Sequence, residues 1–152
     1  MSELKTGETI EDFKLYDTKR NEVRLHDLKG KNILLAFHPL AWTKGCAKHM
    51  KLLEDNYEKL SSMNTVAFGI SVDSVPSKKA WASELGVEKT DFLSDFWPHG
   101  EVARMYGMFD EDTGTSKRAS ILIDEDLIVK FTSVYEILEL PEINEIFAAI
   151  KD

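Results

Sequence analysis

The chain reads as an α/β fold, a mixed β-sheet flanked by helices and preceded by an N-terminal β-hairpin. Three observations predict it. Residues 32–37 read as a strand buried on both faces by their almost continuous apolar character, and residues 65–72 as a second buried strand. Helical periodicity appears between and after those runs. Two further strand-like segments, ASILID and LIVKFT, flank a turn at Glu125–Asp126 near the end of the chain. Strands that alternate with helices and close on a hairpin make a covered sheet of mixed direction.

Each element has a local reason. DFKLY (12–16) and EVRL (22–25) flank the polar TKRN and predict a hairpin. LHDLKG (25–30) reads as a turn or helical turn ending in glycine. A helix is expected from 43 to 60, because Met50, Leu53, Tyr57 and Leu60 recur at three- and four-residue spacing. A second is expected over 75–86, with Pro76 in its first turn and Gly86 as its stop. DFLSD predicts a short strand, PHGEVARMYG (98–107) a short helix, and DEDTGTSK (110–117) a polar loop. Pro141 opens a last helix that runs through Ile150. With 152 residues, no repeat and no Pro/Gly/Ser-rich linker, one domain over 1–152 is expected.

Composition narrows the function. The net charge is −8, and the acidic excess lies in residues 101–152, with twelve acidic against five basic side chains. Nucleic-acid binding wants clustered Lys and Arg, so no nucleic-acid partner is expected. The longest apolar run, 33–37, is too short to cross a bilayer, and MSELKTGETIEDF has no apolar core of a signal peptide. With one cysteine, Cys46, no disulfide within the chain is possible. Together these suit a cytoplasmic protein in a reducing compartment.

That cysteine sits in FHPLAWTKGCAKHM, at the start of the 43–60 helix. An isolated free cysteine is usually a small buried hydrophobe. Its position here favours reactivity, because unpaired N–H groups at a helix start stabilise a thiolate, the nucleophilic form. Thr43, three residues earlier, is placed to cap the helix or to face the thiol across one turn. Pro39 and the apolar Leu40–Ala41–Trp42 are placed to keep bulk water from the site.

Pro39-x-x-x-Thr43-x-x-Cys46 resembles the active-site signature of the peroxiredoxins, the AhpC/TSA group of thiol peroxidases. Other segments agree. Gly7, Asp12, Phe13, Leu15 and Asp17 match an opening hairpin pattern, and LKGKNILLAFHPLAWT is similar to the strand leading into the site. SDFWPHGEVARMYGMF (94–109) resembles the one-cysteine, AhpE-like branch, and KRASILID (117–124) the segment in which the family's active-site arginine precedes a strand. The resemblance implies a thioredoxin-like fold and a peroxidase that needs no cofactor and no metal. It implies Cys46 as peroxide-attacking nucleophile, Thr43 as peroxide-holding hydroxyl, Pro39 packed over the thiolate and Arg118 as the cation that stabilises thiolate and peroxide. Trp42 and Trp97 are implied to border the pocket or a contact between two copies. The implied partners are a peroxide, an external thiol reductant (a low-molecular-weight thiol or a thioredoxin- or glutaredoxin-type protein) and a second copy in a homodimer.

Two departures stand out. Many members carry a glutamate three residues after the cysteine that helps hold the arginine; here the position is His49. A neutral imidazole still accepts one hydrogen bond but supplies no fixed negative charge, and its titration near neutrality would make the arginine's orientation pH-dependent. The chain also lacks a second cysteine, so a sulfenic acid on Cys46 must be reduced by an outside thiol. Other chemistries fit less well. Cys46 and His49 form a C-x-x-H pair, two ligands where a zinc site needs more. Asp110, Asp112 and Gly114 lack the remaining ligands of a calcium loop. A Cys–His hydrolase based on His38 or His49 lacks an orienting third group. A redox-sensing module would use the same thiol to signal to a protein partner.

Overall fold

The computed structural model describes residues 4–152; residues 1–3, part of the segment read above as lacking a signal-peptide core, lie outside the described residues. One seven-stranded sheet organises it, in the order β2-β1-β5-β4-β3-β8-β9. The hairpin β1 (Lys14–Asp17) and β2 (Glu22–Arg24) forms one edge and joins β5 (Asp91–Ser94) antiparallel. β3 (Asn32–Phe37), β4 (Thr65–Ser71) and β5 run parallel in the centre. β8 (Arg118–Ile123) and β9 (Val129–Tyr135) close the other side, both ladders antiparallel. Among the described residues no helix is long and apolar enough to cross a membrane.

Alternation along the central strands explains their unbroken apolar character. In β3, Ile33, Leu35 and Phe37 enter a core with Leu25, Phe13, Val102 and Tyr106. Leu34 and Ala36 point to the opposite core, with Cys46, Met50, Leu53, Trp81 and Phe147. Both faces are covered, so neither alternate position is free to be polar. In β8 the same period puts Ala119, Ile121 and Ile123 in the first core and Leu122 in the second. Arg118 shares the parity of Leu122, so its side chain belongs to the face that carries Cys46.

Three expected boundaries differ from the observed ones. The 43–60 helix is two helices, α1 (Lys44–Asp55) and α2 (Tyr57–Ser62), broken at Asn56. The Asn56 amide donates to the Leu52 carbonyl at 2.8 Å, a local side-chain bond that competes with continued helix. The 98–107 helix is only α4 (Glu101–Met105). Gly100 before it has φ 67°, outside the helical region, and a Cβ there would lie 2.4 Å from the Phe109 ring. The buried Asp95 carboxylate caps this shorter helix by accepting from Val102 and Ala103 N–H at 3.1 and 3.0 Å. The 110–117 segment is not only a loop. β6 (Phe109–Asp110) and β7 (Thr115–Ser116) pair antiparallel around it, closed by Gly114 at φ 72°.

α3 (Val75–Leu85) agrees with expectation, with Pro in the first turn and Gly86 left-handed at its end. α5 (Ile143–Lys151) starts two residues after Pro141 and buries Ile146, Phe147 and Ile150 against the sheet.

Candidate active site

The antiparallel ladder between β3 and β8 sets the site. It pairs Phe37 with Ala119, so the exit of β3 lies beside the start of β8. The chain leaving β3 therefore delivers residues 38–46 to the place where Arg118 begins its strand.

Cys46 is the third residue of α1, within the turn whose N–H groups have no helical partner. It is 1% exposed. Its Sγ accepts from Arg118 Nη2 at 3.5 Å. Arg118, also buried, uses its whole fork: Nε donates to the Ile137 carbonyl at 3.1 Å and Nη1 to His49 Nδ1 at 3.1 Å. Three fixed acceptors around one planar group leave little rotational freedom. Gly45 makes room for it, since a Cβ there would lie 3.0 Å from Arg118 Nη2.

His49 takes the acceptor role that a carboxylate would otherwise fill. Burial, and then the Arg118 charge, lower its pKa from 6.5 to about 3. The imidazole is neutral at physiological pH, with Nδ1 as acceptor and the proton on Nε2. The titration expected near neutrality is displaced to strongly acid pH.

That displacement predicts acid instability. Between pH 6.5 and about 3 the unfolded chain binds a proton at His49 that the folded chain refuses, so stability is lost as pH falls through this window. Each such group contributes about 1.4 kcal/mol per pH unit. His38, lowered chiefly by burial, acts in the same direction. Asp95, raised by burial to about 6, opposes them between pH 6 and its ordinary 3.8. Urea unfolding should therefore give a smaller free energy at pH 5 than at pH 7, with part of that fall, about 2 kcal/mol, absent in His49→Gln. Equal stability at the two values would contradict neutral, buried imidazoles.

The thiol lies at the edge of a cavity of about 450 Å³. Pro39, Leu40, Thr43 and Gly45 form one side of it and Arg118 borders it. Ile137 and Leu138 supply an apolar rim, and Asp110, Thr113 and Thr115 of the small β6–β7 hairpin a polar one. Thr43 stands at the N-cap position with extended backbone, but its side chain makes no cap bond; Oγ1 donates to the Leu40 carbonyl at 3.0 Å. Trp42 is not among the lining residues. Its backbone is left-handed (φ 71°), its ring is 55% exposed, and Nε1 donates to Ser77 Oγ at 3.0 Å. Trp97 is 81% exposed and does not line the cavity either.

Thus Cys46, Thr43, Pro39 and Arg118 meet at one cavity, with His49 bonded to the arginine, while the two tryptophans lie outside it. Sequence reasoning did not anticipate Gly45, the Ile137 carbonyl or the hairpin residues. A glycine directly before the cysteine was the one available signal. The others come from segments distant in the chain.

A lone thiol at a helix start, with an arginine bonded to it at the rim of a small cavity, is the equipment of a thiol peroxidase, and the sheet beneath it is thioredoxin-like. The chain belongs to the AhpC/TSA family, whose model matches residues 6–132. It is 37% identical over 132 residues to alkyl hydroperoxide reductase E of Mycobacterium tuberculosis, covering 86% of each chain. It is 33% identical over 122 residues to a putative thioredoxin peroxidase of Encephalitozoon cuniculi, covering 77% of this chain and 68% of that one. Among solved structures, reduced 2-Cys peroxiredoxin of Plasmodium vivax superposes with a TM-score of 0.89 at 27% identity, over 96% of this chain and 80% of that one. Peroxidoxin BcpB of Mycobacterium tuberculosis superposes with a TM-score of 0.86 at 27% identity, over 97% of each. The protein is a one-cysteine peroxiredoxin, a thiol-dependent peroxidase.

Proposed function

We propose that Cys46 is the peroxide-attacking residue and that Arg118 and Thr43 complete the reacting group. The observation that carries this reading is the 3.5 Å bond from Arg118 Nη2 to Cys46 Sγ in the first turn of α1. In the reaction, the Cys46 thiolate attacks the nearer peroxide oxygen. An S–O bond forms and the O–O bond breaks, oxidising the sulfur to a sulfenic acid. The leaving oxygen carries the electron pair away and takes up a proton, giving water from hydrogen peroxide or an alcohol from an organic hydroperoxide. Arg118 stabilises the thiolate before attack and the oxygen charge that grows during it, the kind of preorganised donor that contributes most to such steps. Thr43 orients the peroxide once its hydroxyl turns from the Leu40 carbonyl, and Pro39 limits water at the sulfur. His49 is a positioning residue that acts through Arg118.

An external thiol then condenses with the sulfenic acid, releasing water and forming a mixed disulfide. A second thiol frees Cys46 and leaves as the oxidised disulfide. The reductant is a low-molecular-weight thiol or a thioredoxin- or glutaredoxin-type protein. The substrates are hydrogen peroxide and small organic hydroperoxides, and the place of action is the reducing cytoplasm, within one domain over 1–152. Stopped-flow mixing of reduced protein with hydrogen peroxide, following tryptophan fluorescence and free thiol together, tests the reading. Oxidation orders of magnitude faster than that of a free cysteine supports it, and oxidation at the free-cysteine rate overturns it.

The working form is a homodimer. Support comes from the family resemblance and from the exposed rings of Trp42, Phe96 and Trp97, which are costly to leave in water. Sedimentation velocity should give a species of twice the chain mass; a monomer at micromolar concentration would refute it.

A further inference from the structure

Behind the site, on the side away from the cavity, lies a lysine that the mechanism above does not use. Lys78, on α3, is fully buried, a rare state for an ammonium without a carboxylate partner. Nζ donates to Ser71 Oγ at 2.6 Å and to His38 Nε2 at 3.3 Å, and lies 5.4 Å from the centre of the Phe92 ring. Ser71 Oγ passes the contact on, donating to Asp73 Oδ2 at 2.6 Å, and the same oxygen accepts Ala41 N–H at 2.8 Å. Ala41 belongs to the loop that carries Pro39 and Thr43 into α1. On the other side, the His38 ring meets the His49 ring edge-on, with centroids 6.4 Å apart, and His49 holds Arg118. Lys78 is therefore joined to Cys46 by two packed routes.

We propose that Lys78 is a positioning residue for the Cys46 thiolate: an ammonium held behind the site by Ser71 and His38, which steadies the 38–43 loop and adds a second positive charge to that of Arg118. The inference rests on Cys46 being the attacking thiol.

The charges around it are consistent with that role. Asp73 two residues beyond β4, Asp95 after β5 and Cys46 on α1 each favour the charged lysine, while burial opposes it and brings its pKa from 10.5 to about 7. His38 and His49, the two imidazoles between Lys78 and Arg118, are both lowered by burial and stay neutral. Among the described residues the buried cations here are Lys78 and Arg118, while Lys44 of α1 lines the cavity on its open side, and Cys46 is one of three groups whose negative charge favours the charged form of Lys78. The interaction between an ammonium and an anion that share one interior is mutual, so under this proposal a charged Lys78 favours the thiolate as the thiolate favours the charged lysine.

The test compares wild type, Lys78→Met and Lys78→Arg by iodoacetamide alkylation from about pH 4 to 9. In Lys78→Met the midpoint should move up by about half a unit or more, a threefold loss of thiolate at a fixed pH below it. Lys78→Arg should restore the wild-type midpoint. A structural role alone would change the unfolding temperature and leave the profile in place, so superimposable profiles overturn the proposal. If Lys78→Met does not fold, carbon NMR of the Lys78 Cε in wild type and Cys46→Ser measures the same coupling from the other end. The lysine midpoint should fall in Cys46→Ser, and equal midpoints overturn the proposal. Peroxide oxidation of wild type separates the two readings. Slow oxidation refutes Cys46 as the attacking thiol, whereas fast oxidation with unmoved profiles refutes only the role of Lys78.

Discussion

Replacing Cys46 by serine is expected to abolish peroxidase turnover, by about 10⁴-fold or more, as for removal of other enzymatic nucleophiles. A serine hydroxyl is not ionised at neutral pH and cannot act as the soft nucleophile that opens an O–O bond. The fold should persist. The side chain is 1% exposed, the change is one atom, and a hydroxyl can still accept from Arg118. The cost of burying it is about 1–2 kcal/mol. The measurement pairs a peroxide-consumption assay containing excess thiol reductant with a thermal melt. Turnover retained by a folded Cys46→Ser protein would end the mechanism.

The second large effect is expected at Arg118. Arg118→Met keeps most of the side-chain volume but removes three donated hydrogen bonds, to Cys46, His49 and Ile137. Loss of one preorganised donor typically costs about 10²–10³ in rate, and that is the expected fall in peroxide oxidation. The alkylation-versus-pH profile of Cys46 should move to higher pH in parallel. Stability should drop by about 1–3 kcal/mol, because a buried imidazole nitrogen is left without its donor. Arg118→Lys should restore little, since a single ammonium cannot meet thiol, imidazole and carbonyl from one plane. An Arg118→Met protein that oxidises at the wild-type rate would remove the arginine from the reacting group.

These expectations link Arg118 and Lys78 as opposite cases. Arg118 borders the cavity and donates to the thiol directly. Lys78 is buried deeper, and its pKa of about 7 makes its charge sensitive to whatever anion shares the interior. Oxidation of Cys46 to a neutral sulfenic acid removes one such anion. Under the proposal for Lys78, the enzyme would thus hold its proton more weakly after the first chemical step than before it.

Much of this was legible in the sequence because it is local. β3, β4 and α3 were readable from apolar runs, proline and glycine, whose effects act within a few residues. Cys46 at a helix start was readable for the same reason, and the Pro39–Thr43–Cys46 spacing with the 94–109 and 117–124 segments pointed to the family. The break at Asn56 was not, since a single side-chain bond to Leu52 decides it against an otherwise continuous helical periodicity. Nor was the β6–β7 hairpin, whose strands of two residues are too short to show an alternation.

By itself, then, the sequence determined the mixed α/β layering, the single thiol at a helix start, the lack of a second cysteine to pair with it, and the arginine expected to serve it. Tertiary structure alone decided what surrounds that thiol. The antiparallel register of β3 and β8 brings residue 118 to residue 46, and burial turns His49 from a titrating group into a fixed acceptor. The same packing places Lys78 behind a site 32 residues away in the chain and leaves Trp42 and Trp97 outside the cavity. The division has a physical cause. Propensity and capping depend on neighbours in sequence, whereas solvation and charge–charge interaction depend on neighbours in space, which only the folded chain defines.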